Sequence, residues 1–203
     1  MACNVYLGEI NFSCAELPVG GLTDVLIGDK AALMGGSSPA IAVDTRKEIE
    51  DTNNAGTYII NPAYGAVTVT ATGAGLATDG LVHELSFNNK DGFSVFTDVK
   101  TVNADGSVST VPTISVEFPV MSAEKRNQLE QIAVGGAELI VFVKTAAGTY
   151  HMVGAEYGLY AGTIDGNSGT VRSDKNRYQL TLTGEEQSLA FALTSGNWDS
   201  VSL

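Results

Sequence analysis

Apolar and polar residues alternate along much of the chain with the two-residue period of a half-buried strand. The pattern is clean in "TISVEFPV", where Ile114, Val116 and Phe118 share one face and Glu117 takes the other. It is equally clean in "RYQLTLTG", where Tyr178, Leu180 and Leu182 alternate with polar residues. Short strands are expected at 5–10 and 22–27, with "PVGG" as turn punctuation between them. A brief strand at 40–44 and β-branched runs at 58–60 and 66–72 follow. The small-residue segment "AALMGGSSP" at 31–39 reads as a loop. The polar segment 45–56 is turn-rich, with a weak charged strand or helical turn inside it.

Segments 81–87 and 93–102 are expected to pair across "NNKDG", and "NADGS" at 103–107 is a second hairpin signal. The run "AELIVFVKT" is continuously apolar and too short for a helix, so it predicts a strand buried on both faces. "TYHMVGAEYG" should pair with it across "AAG", and "LAFAL" returns after the "GEEQS" turn. The stretch 154–186 runs from aromatic and glycine segments through a polar loop into the "RYQLTLTG" strand. The last segment, "TSGNWDSVSL", sets Trp198 among polar residues, and 194–203 is expected to be a flexible tail.

One segment has helical spacing. "MSAEKRNQLEQIAVGG" offers Ser122 as N-cap, Glu124 in the first turn and Gly135-Gly136 as a stop. Leu129, Ile132 and Ala133 form its apolar stripe, so this helix should lie on a sheet with Arg126 and Gln128 pointing outward. The total is roughly ten strands and one helix in a single β-rich domain over 1–203. There is no internal repeat and no linker. The bias of 37–80 toward small and polar residues marks the less tightly packed half, and the portion from Leu81 onward the stronger nucleus.

Composition agrees with this reading. The chain has 203 residues, enough to form a core without staples. Charged residues are only 17% and there are 23 glycines, which suits a turn-rich β chain. The formal net charge is −12, and Arg46-Lys47, Lys125-Arg126 and Lys175-Asn176-Arg177 are short groups with acidic neighbours. Nucleic-acid binding needs clustered cations, so a bound phosphate backbone is a poor fit. The acid excess either aids solubility or marks a surface that must not adhere to DNA.

Cys3 and Cys14 make no disulfide framework and lack the further ligands of a zinc site. A reduced pair is the default, with a single disulfide or shared metal left open. No apolar run approaches the ~20 residues of a membrane span. The start lacks signal-peptide features, so the chain reads as made in the cytoplasm and complete as written.

Candidate chemistry is sparse. His83 and His151 lie far apart without a metal-ligand spacing, and no G-x-S-x-G elbow accompanies them. Glu185 and Glu186 are adjacent, so they point apart and cannot face each other across a sugar. "DGNSG" at 165–169 lacks the full calcium-loop spacing. Tyr157, Tyr160, Phe93 and Phe96 are candidates for a carbohydrate-stacking face, although strand aromatics more often serve the core. No catalytic residue, cofactor or metal site is expected, and the chain is read as a non-enzyme.

The stretch "ELIVFVKTAAGTYHMVGAEYGLYAGTIDGNSGTVRSDKNRYQLTLTGEEQSLAFAL" resembles the C-terminal halves of structural proteins of tailed-bacteriophage virions. "CAELPVGGLTDVLIGD" is similar to an N-terminal segment of some of them, and "SAEKRNQLEQIA" to the single helix of tail-tube and head–tail ring proteins. The likeness is strongest over 112–193 and thin over 37–80; Lys175 and Arg177 interrupt the turn expected there.

That resemblance implies a mainly β, antiparallel β-sandwich or barrel with one flanking α-helix. It implies hexameric rings stacked into a tube, assembled in the host cytoplasm and carried in the virion tail. Other tail or head–tail proteins would be partners, and genomic DNA would pass through without specific binding. Segment 37–80 is then expected to be an extended loop or inter-subunit arm. Acidic residues lining the lumen would spare the DNA a sticky wall, and Asp98, Asp105 and Glu117 are the candidates. The competing readings are a head–tail connector ring and a β-sandwich module that recognises a carbohydrate or receptor.

Overall fold

The structure is a computed structural model. It describes residues 20–35, 37, 39–45, 48–50, 58–60, 63–70, 75–87, 94–134, 136–171 and 174–202. The first elements are β1 (Leu22–Asp29), α1 (Lys30–Met34), β2 (Ile41–Val43), β3 (Glu48–Glu50), β4 (Tyr58–Ile60), β5 (Val67–Val69) and β6 (Val82–Glu84). Next come β7 (Val95–Val102), β8 (Val108–Pro119), α2 (Ala123–Val134), β9 (Leu139–Thr145) and β10 (Tyr150–Val153). The last are β11 (Tyr160–Asn167), β12 (Arg177–Thr183), β13 (Phe191–Leu193) and α3 (Ser195–Ser202).

The fold is mainly β. A five-stranded sheet of order β13-β10-β9-β1-β6 packs on a four-stranded sheet of order β11-β12-β8-β7, and every pairing is antiparallel. The apolar run of β9 sits at the centre, as its pattern requires. Leu139, Val141 and Val143 face the four-stranded sheet, while Ile140 and Phe142 point the other way. β1 divides in the same manner, with Val25 and Ile27 on one side and Leu26 on the other. Each such side chain contributes about 1.5–3 kcal/mol on full burial. The facing layer is supplied by Ile114, Val116 and Phe118 of β8 and Leu180 and Leu182 of β12.

The outer face of the five-stranded sheet carries a second core. Leu33, Ile41, Val67, Leu76, Trp198 and Val201 cover it. This corrects three expectations. Residues 31–39 do not form a plain loop, because Asp29 accepts the Ala31 N–H and caps the short helix α1, whose Leu33 is buried. Segment 194–203 is not a flexible tail: α3 occupies most of it and buries Trp198 and Val201. Segment 37–80 is not wholly an arm either, since Ile41, Val67 and Leu76 belong to the core. Among the described residues β2 pairs with β5 and β3 with β4 as two separate two-stranded ribbons, and the first of these supplies Ile41 and Val67 to the core.

Two pairings also differ. β6 joins β1 and β7 joins β8, so 81–87 and 93–102 enter different sheets. Val82 has to cover the second core while Phe96 faces the first, and one hairpin cannot serve both. The polar stretch before β12 contains β11, a strand whose glycines and exposed side chains hid its period.

α2 is the flanking helix. Ser122 Oγ accepts the Lys125 N–H at 3.3 Å, as an N-cap does. Leu129 is buried and Ile132 half-buried, whereas Ala133 is exposed. The line of contact runs through Lys125, Leu129 and Ile132 and leaves Ala133 on its solvent side, which corrects the expected stripe. Arg126 and Gln128 point outward as expected.

Candidate assembly surface

The four-stranded sheet ends in two long edges. β7 and β11 each have eight residues, and neither pairs on its outer side among the described residues. Soluble proteins blunt such edges with short strands, prolines, bulges or charges. β7 has no proline and runs in unbroken register from Val95 opposite Ser115 to Val102 opposite Val108. Its Asp98 turns inward, leaving Lys100 as its exposed charge. β11 carries one register shift, between Ala161 and Thr163, and Asp165 as its charge.

Strand alternation then fixes the face of this sheet that looks away from the core. It presents the hydroxyls of Thr97, Thr113, Ser115, Thr163, Thr181 and Thr183 and the amide of Gln179, together with Val95, Val99 and Val111 and the charged Glu117, Asp165 and Arg177. Gln179 Nε2 donates to Ser115 Oγ at 2.7 Å across the strands.

Beyond the end of β12 the β7–β8 hairpin continues alone. β12 reaches β8 only at Thr113, and the next attachment is the bridge between Thr110 and Glu186, whose N–H and C=O groups pair at 2.9 and 2.8 Å. The hairpin turn is tied by Asp105, which accepts the Ser107 N–H and hydroxyl at 2.9 and 2.7 Å. These bonds hold the Asp105 carboxyl below the usual carboxylate range.

A reciprocal clasp secures the loops beside this bridge. Glu186 is buried, and its carboxylate accepts the N–H groups of Glu156, Tyr157 and Gly158 at 2.9, 3.0 and 3.2 Å. Glu156 answers by accepting the Gln187 N–H at 2.6 Å and the Ser188 hydroxyl at 3.0 Å. Gly154 and Gly158 sit at φ +87° and +85°, which curls the loop around the carboxylate. At Gly154 an added Cβ would meet the Leu139 carbonyl oxygen at 2.6 Å. Burial pushes the Glu186 carboxyl up, and the three N–H groups act against that rise.

Next to the clasp lies an open cleft of about 760 Å³, lined by Val108, Ala137, Leu159, Tyr157, Tyr160, Glu138 and Glu185 among others. Tyr157 and Tyr160 are both more than half exposed, at 53% and 54%. Phe96 instead packs against the main core, and Phe93 lies outside the described residues. The four aromatics therefore do not form one platform.

The acidic candidates fall in three different settings. Glu117, expected to point outward as a free charge, is 1% exposed and ion-paired with Arg177 and, at 3.6 Å, with Lys175. The two cations that interrupt the expected turn thus cover the carboxylate that alternation turned outward. Asp98 accepts the Ala190 N–H at 2.6 Å through one oxygen and buries the other without a hydrogen-bond partner among the described residues. Asp105 alone is fully open, at the hairpin tip. The structure does not bring these three together.

The remaining candidates have local roles. Glu185 is exposed where Glu186 is buried, as their adjacency required. Asp174 accepts the N–H groups of Thr170 and Val171 at 2.7 and 2.9 Å, which holds its carboxyl low. Asn167 accepts the Gly169 N–H at 2.8 Å, so "DGNSG" is the end of β11 running into a self-bonded turn. His83 is exposed on β6. His151 bonds Thr149 Oγ1 at 3.1 Å; burial pulls its pKa down while the Asp98 charge pulls it up. Among the described residues no three His, Cys, Asp or Glu side chains gather as a metal site would require, and no helix is long and apolar enough to cross a membrane. Cys3 and Cys14 lie outside the described residues.

Sequence reasoning missed the partnership of Glu156 with Glu186. Its signal was the glycine on either side of "AEY" in 154–158, a spacing that lets backbone N–H groups converge. No protein-family model matches this chain, and no curated protein matches it.

Proposed function

We propose that this chain is a structural subunit of a bacteriophage tail tube, self-assembling into stacked rings that form a conduit for DNA. The observation that carries the reading is the pair of long open edges on one even-stranded sheet. In a four-stranded antiparallel sheet the two edge strands run in opposite directions. Copies related by rotation about a ring axis can therefore join β7 to β11 and continue the antiparallel alternation without interruption. Such closure removes both edges, which a free subunit leaves exposed.

A hexameric ring of four-stranded sheets gives a barrel of about 24 strands, about 48 Å across at usual strand spacing and tilt. The hydroxyl-rich face away from the core would line it. Such a wall offers DNA few cations, because Arg177 and Lys175 are engaged by Glu117. Without cations there is little counterion release to hold the duplex. The expectation of a lumen made acidic by Asp98, Asp105 and Glu117 gives way to a largely uncharged one, with Asp165 as its exposed carboxylate.

A single head–tail connector ring uses the same edges without stacking. Electron microscopy of the purified chain tests the proposal: rings or tubes support it, tubes favour the tail-tube form, and monomers at high concentration oppose it.

A further inference from the structure

The cleft beside the clasp has a charge bias with no role in ring closure. Three carboxylates line it, from Glu138, Glu185 and Glu186, together with Tyr157 and Tyr160, and no Lys, Arg or His among the described residues does. The three carboxylates are not equivalent. Glu186 is engaged by the N–H groups of Glu156, Tyr157 and Gly158. Glu138 bonds Lys30 at 3.0 Å, yet its side chain is still 65% exposed. Glu185 is exposed and has no ion-pair partner among the described residues. Lys30, the cation nearby, is engaged twice, since its Nζ also donates to the Glu156 carbonyl oxygen at 2.8 Å.

The tyrosines are held in place by the fold. The Tyr157 hydroxyl accepts from Gln187 Nε2 at 2.6 Å, which anchors the far end of its ring. Tyr160 opens β11 opposite Thr183, so the strand register fixes its side of the sheet. Both rings are more than half exposed. An aromatic ring attracts a cation to its negative face, and a carboxylate beside it adds a charge-assisted hydrogen bond. A neutral ligand would leave Glu185 uncompensated, and an anion would be repelled. The volume of about 760 Å³ exceeds what one ammonium group fills and lies in the range of sites for extended ligands.

We propose that this cleft binds an organic cation, an alkylammonium or guanidinium group carried on an extended chain. The charged head sits between Glu185 and the tyrosine rings, and the chain lies along Val108 and Ala137. A free polyamine and the lysine or arginine side chain of a partner protein share this chemistry. The clasp and the Thr110–Glu186 bridge hold the walls of the cleft together, which lowers the ordering cost of binding. Binding here does not require rings to form.

The test is isothermal titration calorimetry of the full chain with spermidine, with acetyl-Ala-Arg-Ala-amide and, as a neutral sugar, with maltose. The net charge of −12 attracts any cation diffusely, so a site has to be separated from that background. The variants are therefore Glu185→Gln and Tyr160→Leu in the cleft, and Glu84→Gln at an exposed carboxylate on β6. Circular dichroism checks that all three fold. Wild type should bind at least one of the two cations and saturate at one per chain. Glu185→Gln and Tyr160→Leu should each weaken binding about fivefold, and Glu84→Gln should leave it unchanged. Tighter binding of spermidine identifies a free polyamine as the ligand, and tighter binding of the peptide a basic side chain of a partner. The proposal is overturned by any of four results: no saturable binding of either cation, unchanged binding in either cleft variant, equal weakening by Glu84→Gln and Glu185→Gln, or binding of maltose alone. None of these results bears on ring formation.

Discussion

Glu186 and Glu156 each hold the backbone of the other's loop: Glu186 accepts the Glu156 N–H at 2.9 Å, and Glu156 accepts the Gln187 N–H at 2.6 Å. Two carboxylates that would repel in isolation are thereby each surrounded by donors. They join the loop after β10 to the loop after β12, and through Thr110 to the base of the hairpin. Glu186→Ala should therefore destabilise the fold by about 2–4 kcal/mol, because buried N–H groups lose their acceptor. Glu186→Gln, which keeps one oxygen, should fall between. Chemical denaturation of the three proteins checks the order.

The Glu117 ion pairs make a second prediction. Removing one partner of a buried pair leaves the other charge uncompensated. Glu117→Ala should cost about 2–4 kcal/mol, reduced from the fully buried figure because Arg177 and Lys175 keep some contact with water. A midpoint of unfolding unchanged from wild type would show that Glu117 is a surface charge after all.

The C-terminal helix makes a third. Trp198 packs against Tyr150 with ring centroids 5.2 Å apart and helps cover the second core. Trp198→Ala should cost about 3–5 kcal/mol, visible as a lower melting temperature and as quicker proteolysis near the end of the chain.

His151 gives the fold a pH dependence of known sign. Its pKa in the folded chain lies below its ordinary 6.5, chiefly because burial disfavours the imidazolium. Its contribution to stability is then fully present above about pH 6.5 and is lost as pH falls through the lower folded value. Asp98 acts in the opposite sense and limits the effect. Wild type should lose more stability than His151→Gln between pH 7.5 and 5, measured as the shift in urea midpoint.

The sequence made the central layers legible because β9, β8 and β12 each carry an unambiguous period. A run apolar at every position has to be covered on both faces, and "LIVFV" is. Three features were hidden for physical reasons. β11 is exposed along most of its length, so no apolar alternation marks it. α3 buries only Trp198 and Val201, two residues three apart in a polar segment too short to show a helical stripe. Glu117 obeyed the alternation that sent it outward, but the alternation could not show that Arg177, its neighbour across the β8–β12 pair, would close over it. The clasp escaped because its two halves are 30 residues apart and meet mostly through backbone N–H groups.

The central claim is that copies of this chain join through the β7 and β11 edges into a closed ring. Electron microscopy of the purified full-length chain, with image averaging along the ring axis, tests it most directly. The account predicts rings or tubes around a continuous antiparallel barrel, with β7 of each subunit bonded to β11 of the next. Monomers at high concentration, or rings in which both edges stay unpaired, would contradict it.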